Sequence, residues 1–210
     1  MTDNKVLYYH GSNRLFKSFS LDYAGMATGV KFGYGIYLTP RYETAAHYAK
    51  PRKTEAVSSF YVYTVAVPAI TSSNCLDLNP ENRLDHLLIE KVSGHLGEPL
   101  PQEALACTKA LRKYVGGVMA WRSGSSNAKR PTVRQMTSNS NLETEMAASK
   151  FFQEIGIDYY KWPVDWKHPE KETNIAVLNP DTIRTIKVEH VELDNHYRLI
   201  EGSQKIIEIL

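Results

Sequence analysis

The sequence predicts an α+β protein built on a mainly antiparallel sheet. Short strand patterns and helical patterns follow one another at irregular spacing, and no repeating βα unit is present. The clearest strand is SSFYVYTVAVP, residues 58–68, in which apolar side chains occupy both faces, so both faces are expected to be covered. Because 42% of the 210 residues are apolar, the chain can bury one core, and a single domain over residues 1–210 is expected.

The elements before that strand follow from residue types and capping signals. Residues 6–9 are rich in β-branched and aromatic side chains and predict a first strand. Residues 36–38, Ile-Tyr-Leu, predict a second strand after a glycine-containing loop. Thr39 and Pro40 are a hydroxyl N-cap and a proline at the first helical position, and they predict a helix from Pro40 to Lys50.

The middle of the chain is predicted to be helical, with one long loop. The segment NCLDLNP, residues 74–80, is either a short strand or a turn. Helical patterns cover residues 80–96 and 101–121. Residues 122–141 are polar and basic and almost lack apolar periodicity, which predicts a mobile loop.

A helix and three strands are predicted for the last third of the chain. Ser140 and Glu143 have the spacing of a capping box for a helix that runs through Ile155 and ends at Gly156. Glu143 and Glu145, at the start of this helix, are expected to be structural. Strand patterns follow in the segments IDYYKW, TNIAVLN and IRTIKVEHVEL.

Cysteine content and hydropathy indicate the cellular compartment. Only Cys75 and Cys107 occur, with no CxxC pair and no Cys/His cluster at metal spacing, so we expect no disulfide, no metal and a reducing compartment. The N-terminus lacks a signal-peptide pattern, and no run approaches the roughly 18 apolar residues of a membrane-spanning helix. We therefore expect a cytoplasmic protein, in the producing or a target cell, without a membrane partner.

Basic residues are concentrated in one stretch. Residues 104–135 contain seven Lys or Arg and no Asp or Glu, a charge of +7 in a chain whose total is +2. Such a stretch attracts phosphate-rich partners, and Tyr114 and Trp121 add rings on which bases stack. Single-stranded nucleic acid, an acidic protein target and a merely solvated loop all remain open. The candidate target-binding residues are Lys109, Arg112, Lys113, Trp121, Arg122, Lys129, Arg130 and Arg134.

Three short motifs follow one another near the N-terminus: YHGS at 9–12, GYGIYLT at 33–39 and AAHYA at 45–49. Their order, with Tyr37 and Tyr48 eleven residues apart, resembles the diphtheria-toxin-like and poly(ADP-ribose)-polymerase-like branch of the ADP-ribosyltransferase superfamily. The later segment NIAVLNPDTIRTI is similar to the last core strand of bacterial and phage members of that family.

The resemblance implies a fold and a substrate. It covers about residues 6–67 and 150–188, and residues 79–141 have no counterpart, so an insertion is expected there. The family fold consists of split, mainly antiparallel sheets that enclose a cleft for NAD. NAD is consumed as a substrate, and no metal takes part.

The resemblance also implies roles for individual residues. His10 would hydrogen-bond the adenosine ribose of NAD, with Ser12 supporting the same region. Gly11 would let the backbone approach the carboxamide closely. Tyr37 and Tyr48 would sandwich the nicotinamide ring, because flat aromatic rings stack at low entropy cost.

Two positions depart from the family pattern. A hydroxyl that binds the carboxamide in relatives aligns with Ala45, and Thr44 lies one residue away. The glutamate that stabilises positive charge on the ribose as the nicotinamide bond breaks aligns with Asn174. Glu172 lies two residues earlier, on the same side of a strand, and is the predicted acid, with Asn174 as a ribose-binding partner. His10 completes the predicted catalytic set with Tyr37.

The expected function is transfer of a single ADP-ribose to a macromolecule, either single-stranded nucleic acid or protein, by a toxin, effector or defence enzyme. An antitoxin, immunity protein or chaperone would restrain it in its producer. One alternative is a pseudoenzyme that binds NAD or ADP-ribose, since the acid position is ambiguous. The other is an NAD-consuming RNA 2′-phosphotransferase, whose family needs arginines where this chain has Tyr37.

Overall fold

The computed structural model describes residues 6–24, 30–51, 59–124 and 129–207. Within them the chain has two four-stranded sheets and five helices, which confirms the predicted α+β class with mainly antiparallel sheets. The strands are β1 Val6–Ser12, β2 Ile36–Leu38, β3 Phe60–Val67, β4 Cys75–Asp77, β5 Tyr159–Pro163, β6 Thr173–Val177, β7 Arg184–Val191 and β8 Lys205–Ile207. The helices are α1 Tyr42–Tyr48, α2 His86–Leu96, α3 Thr108–Ser123, α4 Val133–Ser138 and α5 Leu142–Glu154.

The strands form two sheets that meet at one edge. Sheet one has the order β1-β3-β7-β8 and is antiparallel throughout. Sheet two has the order β2-β6-β5-β4, in which only β4 and β5 run parallel. The backbones of Tyr9 in β1 and Thr39, just after β2, exchange hydrogen bonds of 2.8 and 3.0 Å. We call this junction the seam.

The two sheets pack face to face, and helices cover their outer faces. The core between the sheets includes Tyr63, Val65, Ile175 and Val177, all fully buried. The opposite face of sheet two packs against α2, α3 and α5, while α1 covers part of the outer face of sheet one. Strand β3 is therefore covered on both faces, as its apolar pattern predicts.

Helix α1 begins later than predicted. Its first residue is Tyr42, and Arg41 occupies the cap position without a side-chain capping bond. The predicted start at Thr39 and Pro40 is wrong because the backbone stays extended through Arg41, whose φ is −106° and ψ is 118° and whose side chain binds Glu172.

Helices α2 and α3 also start later than predicted. The Asp85 side chain accepts a hydrogen bond from the Leu87 N–H and caps α2, so residues 80–85 stay outside the helix. Residues 101–105 form a turn instead of the first turns of α3. The segment at 74–80, left open as strand or turn, contributes strand β4.

The region from 122 to 141 is not one long loop. It contains helix α4, whose N-terminus is closed by a capping box between Thr132 and Gln135. Residues 125–128 lie outside the described part of the chain. The predicted loop is wrong for residues 133–138, because this capping pair supports a short helix without an apolar stripe.

The capping box of α5 is shifted by one residue. Asn141 and Thr144 form it, so the assignment to Ser140 and Glu143 is wrong. Asn is as good an N-cap as Ser, and spacing alone did not separate the two pairs. Strand β8 was not predicted.

The predicted insertion packs on sheet two. Helices α2, α3 and α4 lie within residues 79–141, and their apolar side chains share one core with Tyr160 and Leu178. The division into a single domain with an insertion stays a prediction. Among the described helices, none combines the length and the apolar character needed to cross a membrane.

Candidate functional site

His10 lies on β1 and connects the two sheets. Its Nδ1–H donates a 2.9 Å hydrogen bond to the backbone carbonyl of Tyr37 in β2. The ring also packs edge-on against Phe19, at a centroid distance of 5.3 Å. Burial lowers the pKa of His10, and the hydrogen bond to the Tyr37 carbonyl opposes that shift only in part. The imidazole is therefore neutral near pH 7, with Nδ1 as donor and Nε2 as acceptor.

Gly11 is required by the packing of α1 on β1. A Cβ at this position would overlap the backbone carbonyl of Ala45 and crowd the N–H of Ala49. This close approach explains the glycine by helix packing. The expected close approach of the Gly11 backbone to the carboxamide of NAD stays a prediction. Ser12 accepts a hydrogen bond from the Arg14 N–H at 3.0 Å.

Tyr37 is fixed by hydrogen bonds at its backbone carbonyl, which binds His10, and at its hydroxyl. Its hydroxyl donates to the Gly33 carbonyl at 2.8 Å and accepts from the Phe32 N–H at 3.1 Å. Burial raises the pKa of Tyr37 to about 12. The ring stands edge-on to Trp162, with 5.1 Å between centroids. Gly33 has φ +102°, and a Cβ there would overlap the Tyr160 ring, so this turn depends on glycine.

Tyr48 is the more exposed of the two tyrosines predicted to stack on nicotinamide. It lies at the end of α1 with 55% of its surface exposed, and its ring contacts His47. No ring contact joins the two tyrosines in the described residues. Thr44 is half-buried in the same helix. Two rings that sandwich a third do not contact each other, so the nicotinamide sandwich stays a prediction.

Glu172 and Asn174 flank the start of β6 beside β2. The pairing of Leu38 with Ile175, continued outward, brings Asn174 level with Thr39 and Glu172 level with Arg41. Arg41 Nε and Nη2 both reach Glu172 Oε2 at 2.6 Å, although 48% and 39% of the two side chains remain exposed. The predicted acid therefore lies at the seam and is paired with an arginine.

Arg112 is not part of a target-binding surface. It is fully buried in α3 and forms an ion pair with Glu145 of α5, which is 1% exposed. The prediction of an accessible Arg112 is wrong, because residue 112 falls on the apolar stripe of the helix with Leu111 and Val115. Glu145 is structural, as expected.

Two further arginines of the basic stretch are paired. Arg122 and Arg130 both bind the Glu98 carboxylate, and Tyr114 donates to it at 2.7 Å. Burial raises the pKa of Glu98, but the hydrogen bonds from Arg130 and Tyr114 lower it overall. Arg130 also lies over the Trp121 ring at 5.3 Å. Glu98 and Glu145 precede and follow the stretch in sequence, so counting charge within residues 104–135 missed them.

The remaining basic residues are more accessible. Lys113 donates to the Ser138 carbonyl at 2.6 Å, whereas Lys109, Lys129 and Arg134 are exposed. An open groove of about 490 Å³ lies between α3, α4 and the start of α5. Trp121, Lys129, Met136 and Glu143 are among its lining residues, and it lies away from the seam.

Three residues that contact predicted site residues were not predicted. Arg41 carried no signal, because its partner is 131 residues away in sequence. Phe32 and Trp162 stack at 4.4 Å beside Tyr37, and only the adjacency of Phe32 to the glycine motif hinted at this. Clusters of His, Cys, Asp and Glu suited to a metal ion are absent from the described ranges.

No family model, curated protein or solved structure matches this chain.

Proposed function

We propose that this protein is an NAD-dependent mono-ADP-ribosyltransferase that acts on a macromolecule. One observation carries the proposal: the hydrogen bond from His10 to the Tyr37 carbonyl. It joins the YHGS segment of sheet one to the GYGIYLT segment of sheet two, and the Tyr9–Thr39 bridge lies beside it. The contact brings the two motifs together through the Tyr37 backbone, and in this proposal NAD binds where they meet.

The neutral state of His10 suits a role in binding. With Nδ1–H committed to the Tyr37 carbonyl, Nε2 can accept a hydrogen bond from a ribose hydroxyl. The Tyr37 hydroxyl is already satisfied by Phe32 and Gly33, and the residue is only partly buried, so in this proposal nicotinamide stacks on its ring.

Glu172 supplies the charge chemistry in this proposal. The bond between ribose C1′ and the nicotinamide nitrogen breaks, its electron pair leaves with nicotinamide, and positive charge develops on the ribose. A carboxylate beside that ribose stabilises the charge. The acceptor nucleophile then bonds to C1′ and releases its proton. Because Arg41 holds Glu172 in a half-exposed pair, NAD must share or displace that arginine.

The same pair favours a second candidate, a module that binds NAD or ADP-ribose without cleaving it. Glu172 is already neutralised by Arg41, and the family acid position is occupied by Asn174, which binds hydroxyls but cannot neutralise charge. The RNA 2′-phosphotransferase alternative would require a 2′-phosphorylated RNA substrate, and Tyr37 argues against it as before.

The test measures nicotinamide release from NAD and transfer of labelled ADP-ribose to added RNA, DNA or cell lysate. His10→Ala and Tyr37→Ala are expected to lower release at least about tenfold, equivalent to about 1.4 kcal/mol of transition-state stabilisation. His95→Ala is the control, because His95 lies on α2 and packs edge-on against Phe151 of α5, in the helical layer outside sheet two.

Each outcome assigns one function. Release that falls in both variants but not in the control supports the transferase. NAD binding without release, lost in the same variants, supports the binding module. Neither binding nor release contradicts both. The cytoplasmic location and the restraining antitoxin, immunity protein or chaperone remain part of the proposal.

A further inference from the structure

Four aromatic rings run from the protein surface to Tyr37. Trp166 stacks on Phe32 with 6.4 Å between centroids and 25° between planes. Phe32 stacks on Trp162 at 4.4 Å and 6°, and Trp162 meets Tyr37 edge-on at 5.1 Å. We call Trp166, Phe32, Trp162 and Tyr37 the aromatic ladder.

The outer end of the ladder is accessible. Half of the Trp166 surface is exposed, whereas Trp162 is 6% exposed. A half-exposed tryptophan stacked on a second ring presents a flat π surface to solvent. This is the kind of surface that base-stacking sites use.

The inner end of the ladder lies at the candidate site. Trp162 in β5 pairs directly with Asn174 in β6, and it contacts the Tyr37 ring. A ligand stacked on Trp166 would therefore lie at the outer end of a row of rings whose inner end is Tyr37.

Cationic side chains flank the ladder. Lys31 Nζ lies 5.4 Å from the Phe32 centroid, and Lys167 follows Trp166 directly. Among the acids of the same loop, Glu172 is paired with Arg41 and Glu170 lies 3.9 Å from His168. The Asp165 carboxylate accepts the backbone N–H of Lys167 at 2.9 Å. The lysines can thus meet a phosphate backbone next to stacked bases.

We propose that the aromatic ladder binds an unpaired base of single-stranded nucleic acid and that this nucleic acid is the ADP-ribose acceptor. The second half of the statement rests on the proposed function. Stacked rings with adjacent lysines are the combination by which proteins hold single strands without reading sequence. The basic stretch at 104–135 is a weaker candidate, because Arg112, Arg122 and Arg130 are bound to the protein's own carboxylates.

The test measures binding of a fluorescein-labelled 12-nucleotide single strand, as RNA and as DNA, by anisotropy in the absence of NAD. Trp166→Ala is expected to weaken binding about tenfold, and Trp166→Phe to retain most of it. Tyr23→Ala is the matched control, since Tyr23 is an aromatic residue with 69% exposure outside the ladder. The same strand as a duplex is expected to bind more weakly, because its bases are already stacked.

The outcomes separate this inference from the proposed function. Binding that Trp166→Ala leaves unchanged overturns the ladder as a nucleic-acid site, even if nicotinamide release is normal. Label transferred from NAD to protein in a lysate, but not to either oligonucleotide, overturns nucleic acid as the acceptor. Trp166-dependent binding without any nicotinamide release supports the ladder as a binding site and contradicts the transferase.

Discussion

Two of the Arg–Glu ion pairs in the described part of the chain lie in opposite environments. Arg112 and Glu145 join α3 to α5 and are at most 1% exposed, whereas Arg41 and Glu172 meet at the seam with 48% and 39% exposure. Buried charges depend on each other, because neither can return to water without unfolding. Half-exposed charges can exchange partners. The difference indicates a structural role for the first pair, whereas the second is accessible enough for the substrate role that we propose for Glu172.

The buried pair also packs against residues that position Tyr37. The Arg112 guanidinium lies over the Tyr160 ring at 5.6 Å and beside Gly33, whose carbonyl accepts the Tyr37 hydroxyl. Nε and Nη2 of Arg112 and Oε1 of Glu145 have no hydrogen-bond partner. The hydrogen-bonding capacity of the pair is thus only partly used. Because Arg112 packs beside Gly33, loss of the pair would disturb the turn that binds the Tyr37 hydroxyl.

The largest expected effect comes from breaking the buried pair. Arg112→Met leaves the Glu145 carboxylate buried without a cation and should lower the free energy of unfolding by about 3–5 kcal/mol. Urea denaturation measures this loss. The double variant Arg112→Met/Glu145→Leu is the control and should recover most of it, because two apolar side chains replace both charges. A single variant as stable as wild type would contradict the assignment.

The next effect tests the packing of α1 on β1, since Arg41 of the exposed pair is the N-cap residue of α1. Gly11→Ala pushes against the backbone of Ala45 and should lower the free energy of unfolding by about 1–3 kcal/mol through overpacking of α1 on β1. Gly94→Ala in α2 is the control, since a Cβ there meets nothing within 4 Å. It should raise stability by up to about 1 kcal/mol. Equal effects of the two substitutions would mean that Gly11 is not required by packing.

Breaking the exposed pair should hardly affect stability. Arg41→Gln should change the free energy of unfolding by about 1 kcal/mol or less, because both side chains are partly solvated and screened. Denaturation at low and high salt measures this change. A loss as large as that of Arg112→Met would remove the contrast between the pairs.

The smallest effect concerns His10, the titratable group between the two sheets. Because its pKa is lower in the folded than in the unfolded chain, the unfolded state takes up the proton first as pH falls. Stability should therefore be full above about pH 6.5 and decline below it. Comparing the pH dependence of unfolding for wild type and His10→Gln isolates this contribution. An NMR titration of His10 that gives a pKa above 6.5 would contradict it.

The strands could largely be predicted from the sequence, and the helix ends could not. Apolar alternation in β3 is a local signal that matches its burial on both faces. The start of α1 depends instead on a contact distant in sequence, the pairing of the still extended Arg41 with Glu172. A cap predicted from Thr39 and Pro40 has no access to that contact.

The sequence singled out two motifs that the fold brings into contact, but it could not reveal the ion pairs, and the roles of the site residues stay predictions. His10 and Tyr37 meet at the seam, and motif order was sufficient to single them out. Arg112 counted as a surface charge because its acid, Glu145, lies 33 residues away. Its helical spacing with Leu111 and Val115 was the available signal for burial. Charge counts within one segment cannot reveal partners that the fold supplies.

The most direct measurement is nicotinamide release from NAD by Glu172→Gln and Glu145→Gln, each with its thermal midpoint of unfolding. We predict that Glu172→Gln keeps the wild-type midpoint and loses release, while Glu145→Gln lowers the midpoint and retains release in proportion to its folded fraction. Unchanged release by a folded Glu172→Gln, from a wild type that does cleave NAD, would contradict the assignment of substrate chemistry to the exposed pair.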